Sequence, residues 1–417
     1  MIKFYFPDSV DVINPNYDFL KEEHENKRLR VHSEAYPHEI YDHPPYDGML
    51  VSLAVYKQRY TLSQRQRVWR QGIRKFLRLD KTSKKLKLKV IGDCGAFSYR
   101  QSEIPPYTVS EVVEFYDQLG FDFGISLDHV IMHYQEDDDF NLNLFPNESE
   151  QSLELECKNR QQTTLELASA FKKCVENGQS NFKPMGVAQG WSPSSYAESV
   201  KSLQKIGFDY IAIGGLIPLK TLQIERCLAK IQEIRFKTTK LHLLGISRIT
   251  DLANLDKYGV VSVDSTAPFV QSFKSDLNNY HTREGNFIAL RVPQIGENAK
   301  IKARILSGEI EQEQARKLEL SCLDQLRKYD EGKLKADKIL QSLCEYETLI
   351  TNKRPKNKDL YFHTLVKKPW KKCKCPICTK LGVQVIIFRG AERNRNRGFH
   401  NLYNYYSAIK ENKPTSK

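Results

Sequence analysis

Short apolar runs alternate with helical patterns through the middle of the chain, and this alternation constrains the fold more than any other feature. Seven runs predict strands, at residues 49–55, 86–91, 121–127, 185–188, 210–213, 241–245 and 260–263. Thr108 and Ser195 each precede a glutamate by three residues, as in a capping box, and Gly120 and Gly207 stand where the same helices would end. Repeated βα units of this size predict a parallel sheet, either a closed barrel or a doubly wound sheet.

Polar residues and glycines stand at or just past the carboxyl ends of the predicted strands. They are Asp93, Asp128, Gln189, Gly214, Gly215 and Asp264. In a closed barrel these positions converge on one face, where the active site is built, whereas an open sheet would spread them along a line. We therefore expect an α/β fold, a (β/α)8 TIM barrel.

Three of the nine cysteines are crowded into six residues near the C-terminus, at Cys373, Cys375 and Cys378. The other six are scattered singly, which is typical of a reducing compartment, so a metal site is favoured over a disulfide framework. Three thiolates and one imidazole suit a closed, tetrahedral zinc site. We predict Zn2+ with His400 as the fourth ligand, although spacing alone leaves His363 open as an alternative. From the scattered single cysteines we also expect a cytoplasmic protein.

The length and a change of composition predict further domains. The chain has 417 residues, more than one average domain. From residue 300 the sequence becomes charged and strongly helix-forming, broken by Gly308 and Gly332. We expect a catalytic barrel over residues 1–299, a charged helical insertion over 300–358 and a zinc-binding subdomain over 359–417.

The charge balance favours a polyanionic partner. Lysine and arginine number 64 against 51 aspartate and glutamate, which gives a formal net charge of +13. Three clusters carry much of this surplus: Lys81, Lys84, Lys85, Lys87 and Lys89; Lys367, Lys368, Lys371, Lys372 and Lys374; and Arg393, Arg395 and Arg397. Together they favour nucleic acid as the partner. No apolar stretch is long enough to span a bilayer, so no membrane partner is expected.

Two aspartates lie in unusual surroundings. Asp93 is set among small residues at 92–96, where backbone can approach a ligand closely, and Asp264 lies within Val-Asp-Ser-Thr-Ala-Pro at 263–268. Reactions at an anomeric carbon usually use two catalytic carboxylates in one cleft, where one attacks C1′ and the other transfers a proton. Either aspartate alone would more often be a helix cap or a turn residue.

Six segments, in the same order along the chain, resemble the tRNA-guanine transglycosylase superfamily. They are residues 92–97 (Gly-Asp-Cys-Gly-Ala-Phe), 186–190 (Gly-Val-Ala-Gln-Gly), 208–216, which ends in Gly-Gly-Leu, 242–245 (His-Leu-Leu-Gly), 263–268, and the Cys-x-Cys-x-x-Cys motif with the later His-Asn-Leu at 400–402. The resemblance covers nearly the whole barrel and the zinc segment. It implies a glycosyltransferase that exchanges guanine in a nucleic acid.

The resemblance implies a role for each carboxylate. Asp264 would attack C1′ of a guanosine nucleotide, expel guanine and leave a covalent glycosyl-enzyme intermediate. Asp93 would be the general base that deprotonates an incoming 7-deazaguanine, which then displaces Asp264. A base exchange with retention at C1′ needs two such displacements.

The resemblance also implies a base pocket. Asp128 would accept hydrogen bonds from the donor edge of guanine, Gln189 would bind its carbonyl, and the backbone at 214–215 would close the pocket floor. The target nucleotide must leave its stack, so Phe97 or Tyr99 is expected to stack on the flipped base. Ordinary core packing is the alternative for Phe97.

Several departures from the tRNA enzymes resemble the branch of the superfamily that acts on DNA. Ala96 and Phe269 replace a usual glycine and arginine, the connection from Asp264 to Cys373 is long, and the opening Phe-Tyr-Phe-Pro-Asp-Ser at 4–9 is similar to that branch. Such enzymes insert a 7-deazaguanine, for example preQ0, as part of DNA-modification systems. We therefore expect DNA and a 7-deazaguanine base as substrates, and other proteins of such a system as partners.

Three alternatives stay open. The chain could be a divergent tRNA enzyme, or a non-catalytic nucleic-acid-binding paralogue, although the retention of Asp93 and Asp264 argues against the latter. A glycoside hydrolase on the same barrel would also use two aspartates, but it would leave the cysteine cluster and the charge unexplained. The resemblance further allows a homodimer through the zinc region, which the long insertion could block.

Overall fold

The computed structural model describes residues 2–25, 34–81, 87–137, 148–248 and 255–411. The predicted strand at 86–91 and the lysine cluster at 81–89 therefore lie partly outside the described residues. The chain divides into two compact units, Met1–Val10 with Tyr46–Thr266, and Asp11–Pro45 with Ala267–Lys417. The domain boundaries expected at 299 and 358 stay a prediction.

The first unit contains a closed barrel of eight parallel strands in sequential order, which confirms the (β/α)8 fold. The strands are β1 Lys3–Pro7, β2 Gly48–Ser52, β3 Lys89–Asp93, β4 Phe123–Ile125, β5 Lys183–Ala188, β6 Tyr210–Ile213, β7 Lys240–Leu243 and β8 Val260–Asp264. Tyr5 of β1 pairs with Asp264 of β8 and closes the ring. β1 is not among the seven predicted strands, and the run at 49–55 ends as a strand at Ser52, where a helix begins.

Inward-facing side chains fill the barrel, because alternate residues of each strand point to its axis. This buried cluster consists of Tyr5, Leu50, Ile91, Ile125, Met185, Val187, Tyr210 and Ala212. The interior is therefore a packed core, and polar chemistry is confined to the ends of the strands.

Helices follow most of the strands. They are α1 Leu53–Arg59, α2 Leu62–Gln71, α3 Ile73–Phe76, α4 Val109–Leu119, α5 Glu148–Asn177, α6 Pro193–Ile206 and α7 Thr221–Ile234. Gly120 and Gly207 end α4 and α6 with φ of 75° and 103°, as predicted. Thr108 caps α4, but the cap of α6 is Ser192, so the prediction of Ser195 as that cap is wrong by one turn.

The second unit is mainly helical. Its longer elements are α8 Ala267–Lys274, α9 Ala299–Leu306, α10 Gln312–Asp330, α11 Ala336–Thr351, α12 Lys358–Lys367, α13 Pro369–Lys372, α14 Pro376–Leu381 and α15 Gly390–Glu411. Two short ladders pair β9 Tyr280–Thr282 with β10 Gly285–Phe287, and β11 Leu290–Arg291 with β12 Ile387–Phe388. The charged sequence after residue 300 thus forms three helices. Among the described residues, no helix combines the length and the apolar character that crossing a bilayer requires.

The arginine cluster near the C-terminus lies inside the second unit. Arg393 and Arg397 are 2 % and 0 % exposed. Arg393 pairs with Glu22 and donates to Oε1 of Gln384 at 3.0 Å, while Arg397 donates to main-chain carbonyls, among them that of Val385 at 3.1 Å. The interpretation as a nucleic-acid surface is therefore wrong for Arg393 and Arg397, because their guanidinium groups already donate inside the unit. The third member of the cluster, Arg395, is 32 % exposed.

Candidate active site and metal centre

The polar residues predicted at the strand ends lie together at the carboxyl face of the barrel. Asp93 and Asp264 are the last residues of β3 and β8. Asp128 follows β4 by three residues, Gln189 directly follows β5, and Gly214 follows β6. In a parallel barrel all of these positions open on the same face.

A buried hydrogen-bonded network surrounds Asp128. Its Oδ2 accepts from Nε2 of Gln189 at 2.6 Å, and its Oδ1 accepts from Sγ of Cys94 at 3.1 Å. The hydroxyl of Tyr99 lies 3.0 Å from Sγ of Cys94. Burial raises the pKa of Asp128 to about 6, although the two side-chain hydrogen bonds oppose this shift. Tyr99 is buried, and its hydroxyl also donates to the main-chain carbonyl of Asp128 at 3.2 Å, so Tyr99 belongs to this network.

Phe97 is the exposed aromatic ring of this segment. It is 50 % exposed, and the guanidinium of Arg100 lies 4.5 Å from its centroid. Ordinary core packing is therefore excluded for Phe97. The stacking of Phe97 on a flipped base stays a prediction.

Close packing around Gln189 explains the two glycines after β6. A Cβ at Gly214 would lie 2.2 Å from Nε2 of Gln189. Gly215 has a φ of 73°, and a Cβ there would lie 2.7 Å from the carbonyl oxygen of Ile131. The amide of Gln189 is held from its other side, since Oε1 accepts from the main-chain N–H of Ile131 at 3.2 Å. Any larger side chain at 214 or 215 would displace this amide.

Asp264 is held by a second buried network. Its Oδ1 lies 3.1 Å from Nε2 of His242 and accepts from the main-chain N–H of Gly245 at 3.1 Å. Nδ1 of His242 lies 2.6 Å from Oγ of Ser262, which is bonded in turn to the hydroxyl of Tyr210. An ionised Asp264 can only accept, so the proton lies on Nε2 of His242 and Ser262 donates to Nδ1. The network therefore fixes the orientation of the carboxylate.

The sequence analysis gave no role to His242, Ser262 or Cys94. His242 is a polar residue within the otherwise apolar strand β7, and it is fully buried. Ser262 stands two residues before Asp264, so both side chains face the same side of β8. These two positions are the signal that could have indicated a network behind Asp264.

Asp93 is half-buried, and its carboxyl has a strongly raised pKa. Burial, and then the negative charges of Asp128 and Asp264, raise this pKa to about 8, while the main-chain N–H groups of Gly95 and Cys94 oppose the shift. Asp93 therefore holds a proton to a much higher pH than an ordinary aspartate does. A carboxyl of this pKa can both give and take a proton near pH 8.

The raised pKa of Asp93 predicts a pH-dependent loss of stability. An aspartate in the unfolded chain titrates near pH 3.9, so between about pH 4 and pH 8 the folded protein holds a proton that the unfolded chain has lost. Stability attributable to this group therefore falls as the pH rises through that window. We expect Asp93→Asn to raise the free energy of unfolding by about 1–3 kcal/mol at pH 9 and to leave it unchanged at pH 4.

Urea unfolding of both proteins between pH 4 and pH 9 measures this difference. The exposed Asp209 provides a control, since Asp209→Asn removes a carboxylate of the same unit outside the site. A difference between Asp93→Asn and the unmodified protein that is constant with pH would show that the pKa of Asp93 is not raised.

Four side chains of the second unit form a candidate metal centre. The ligand atoms of Cys373, Cys375, Cys378 and His400 all lie within 4.8 Å of one another. Nδ1 of His400 lies 3.2 to 3.5 Å from the three sulfurs. This arrangement confirms a cluster that could hold a metal ion, and it places His400 in that cluster.

The surroundings of His400 suit a metal ligand. Its Nε2 donates to the carbonyl oxygen of His281 at 2.7 Å, which leaves the Nδ1 lone pair directed at the sulfurs. The ring stacks on Tyr280 with centroids 4.0 Å apart. The alternative ligand, His363, stacks instead on Phe287 and is not a member of the cluster.

Comparison with known proteins agrees with this architecture. No protein-family model matches the sequence. A DNA-guanine transglycosylase of Salmonella montevideo is 43 % identical over 418 residues, an alignment that covers 98 % of this chain and 96 % of that protein. At this identity over nearly the full length of both chains, the protein belongs to the DNA-guanine transglycosylase family, within the tRNA-guanine transglycosylase superfamily, and is a glycosyltransferase.

Proposed function

We propose that the protein replaces guanine in DNA by a 7-deazaguanine such as preQ0, by double displacement through a covalent intermediate on Asp264. The observation that carries this proposal is the fixed orientation of Asp264. Both of its hydrogen bonds reach Oδ1, and among the described residues Oδ2 accepts none. Oδ2 is therefore the oxygen available to attack C1′.

The first displacement forms the bond between Oδ2 of Asp264 and C1′ and breaks the bond between C1′ and N9 of guanine. The bonding electron pair leaves on N9, and the protonated carboxyl of Asp93 supplies the proton that neutralises the departing base. The hydrogen bonds from His242 and Gly245 keep the nucleophile in place before the attack.

The second displacement reverses these roles. Asp93, now ionised, removes the N9 proton of the incoming 7-deazaguanine, and N9 attacks C1′ while Asp264 departs with its electron pair. Two inversions give net retention at C1′. A pKa of about 8 suits Asp93 to both steps, because the protonated and the ionised carboxyl differ little in free energy near neutral pH.

Base recognition is assigned to Asp128 and Gln189. A carboxylate accepts well from the N1–H and amino groups of guanine, and the Nε2 donor of Gln189 matches the carbonyl. These two side chains are bonded to each other, so a base would exchange that bond for its own. A 7-deazaguanine presents the same edge as guanine, and Phe97 is placed to stack on either.

For the metal centre we propose Zn2+, held by Cys373, Cys375, Cys378 and His400. A closed set of three thiolates and one imidazole has no open position for a substrate. The ion would therefore stabilise the second unit, and the reaction would be left to the carboxylates of the barrel.

Base exchange is the direct test of this function. Purified protein is incubated with radiolabelled guanine or preQ0 and either duplex DNA or bulk tRNA, with Asp264→Ala as the control. We expect label in DNA only, and none with the variant. Label in tRNA only would identify a divergent tRNA enzyme, and label in neither would favour a non-catalytic paralogue or a missing partner protein.

A further inference from the structure

The connection from β2 to β3 carries an unusual concentration of positive charge. Residues 53–81 contain one acidic side chain, Asp80. The basic side chains in the same stretch are Lys57, Arg59, Arg65, Arg67, Arg70, Arg74, Lys75, Arg78 and Lys81. This stretch is not one of the three clusters expected from the sequence, because helical spacing separates its charges instead of collecting them into a run.

This basic segment begins beside the candidate active site. Ser52 pairs in register with Asp93, and the main-chain N–H of Ala54 donates to the carbonyl of Cys94 at 3.3 Å. The hydroxyl of Tyr60, directly before α2, binds Asp8 just past the end of β1. The start of α2 therefore lies at the rim of the barrel mouth.

From the rim, α2 runs down the outer wall of the barrel. Beyond its far end, Arg74 donates to Asp122 at 3.0 Å, and Asp122 precedes the amino end of β4. The ten residues of α2 span about 15 Å. The helix thus reaches from the mouth to the opposite end of the barrel.

The outward face of α2 combines apolar and basic groups. Leu62 and Trp69 are 66 % and 45 % exposed, and Val68 is the buried residue of the helix. Leu62, Arg65 and Trp69 share one face, since they are three and seven residues apart. A shallow cleft of about 610 Å³ runs along this face and is lined by Tyr56, Leu62, Arg65, Gln66, Trp69 and Arg70.

Lys57 pairs with Glu111, and Arg74 pairs with Asp80 and Asp122. Within the part of the chain that the structure describes, five of the nine cations form no ion pair, namely Arg59, Arg65, Arg67, Arg70 and Lys75. An exposed indole among unpaired guanidinium groups matches the chemistry of nucleic acid, which offers phosphates to the cations and flat faces to the ring.

We propose that the cleft along α2 that is lined by Arg65, Arg70 and Trp69 binds the DNA backbone on one flank of the target nucleotide. This inference rests on the proposed function for the identity of the partner. The arginines contact successive phosphates, and Trp69 packs against a sugar or an unstacked base between them. The position of α2 at the rim directs the bound strand to the mouth where Asp264 and Asp93 lie.

The test is a binding measurement in an Asp264→Ala background, so that no covalent product forms. The combined variant Arg65→Gln and Arg70→Gln is compared with its parent on a fluorescent duplex oligonucleotide between 50 and 300 mM NaCl. We expect affinity to fall at least about tenfold, and the slope of log K against log salt to lose about 2 units, because each phosphate contact contributes about 0.9. Trp69→Ala should lower affinity about tenfold with the slope retained, since stacking does not release counterions.

The matched control removes the same charge elsewhere, with Arg316→Gln and Lys317→Gln on the exposed side of α10. An equal loss with this control would overturn the proposal, because net charge alone would then explain the effect. So would unchanged affinity in the α2 variant, or tRNA binding at least tenfold tighter than DNA.

This outcome is separate from that of the proposed function. If the α2 variant binds DNA weakly while the unmodified protein transfers no base, the DNA-binding surface on α2 is supported and the proposed base exchange is contradicted. Circular dichroism and thermal unfolding confirm that each variant is folded.

Discussion

Replacing Asp264 by asparagine is expected to lower base exchange by at least about 10⁴-fold, because the amide cannot attack C1′ and no glycosyl-enzyme forms. Asparagine keeps the shape of the residue, and its Oδ1 can still accept from His242 and Gly245. The loss should therefore appear in chemistry and not in folding. Single-turnover incubation with labelled DNA, followed by denaturing electrophoresis, detects the covalent adduct directly.

Asp93→Asn provides the matched comparison for this experiment, because it leaves the nucleophile intact while removing the proton carrier. We expect an adduct that forms slowly with Asp93→Asn and none with Asp264→Asn. Adduct formation by Asp264→Asn at the rate of the unmodified protein would exclude Asp264 as the nucleophile. If both variants lose base exchange completely and neither forms an adduct, the separate roles of Asp264 as nucleophile and Asp93 as proton carrier are contradicted.

Loss of the metal is expected to have the largest effect on stability. Cys378→Ser should reduce the zinc content from about one ion per chain to near zero and abolish cooperative unfolding of the second unit. Structural zinc sites in small domains contribute on the order of 10 kcal/mol at neutral pH, which is comparable to the whole stability of a domain. Metal analysis and thermal unfolding, each with and without a chelator, measure the two effects.

Cys344→Ser is the matched control for the metal site, because Cys344 lies on α11 and is not a member of the cluster. It should retain the metal and unfold normally. If the chelator removes the ion and the unfolding transition does not move, the ion does not stabilise the second unit. If no zinc is bound by the purified protein, the proposed identity of the ion is wrong.

The barrel was predictable because its strands and helices carry strong local signals. Gly120 and Gly207 end helices with the positive φ that glycine allows, so the start of the following strand was located closely. β1 lacked such context, since the forty residues after it contain no strong helical pattern. The apolar residues after Ser52 were read as strand although Ser52 caps a helix, with Oγ accepting from Val55. An apolar run alone does not separate these two states.

The side chains at the strand ends were also predictable, because barrel topology brings them to one face whatever their partners are. Their supporting contacts were not. Cys94 contacts Asp128, 34 positions away, and His242 contacts Asp264, 22 positions away. No local sequence pattern encodes such pairs. The same limit explains the error on Arg393, whose partner Glu22 is distant in sequence, so that a run of arginines was taken for a surface.

The pairing of Glu22 with Arg393 also bears on how the protein is made. These residues are 371 positions apart, so Glu22 is synthesised long before Arg393. The early segment 11–45 must remain without its partners while the whole barrel is synthesised. A fragment that begins at residue 267 would bury Arg393 without the carboxylate that neutralises it, at a cost of about 3–5 kcal/mol for the broken pair, whereas Arg389 would keep its second partner, Glu319. The part of the chain that carries the cysteine cluster is therefore not a portable module, because its buried Arg393 requires Glu22 from the early segment.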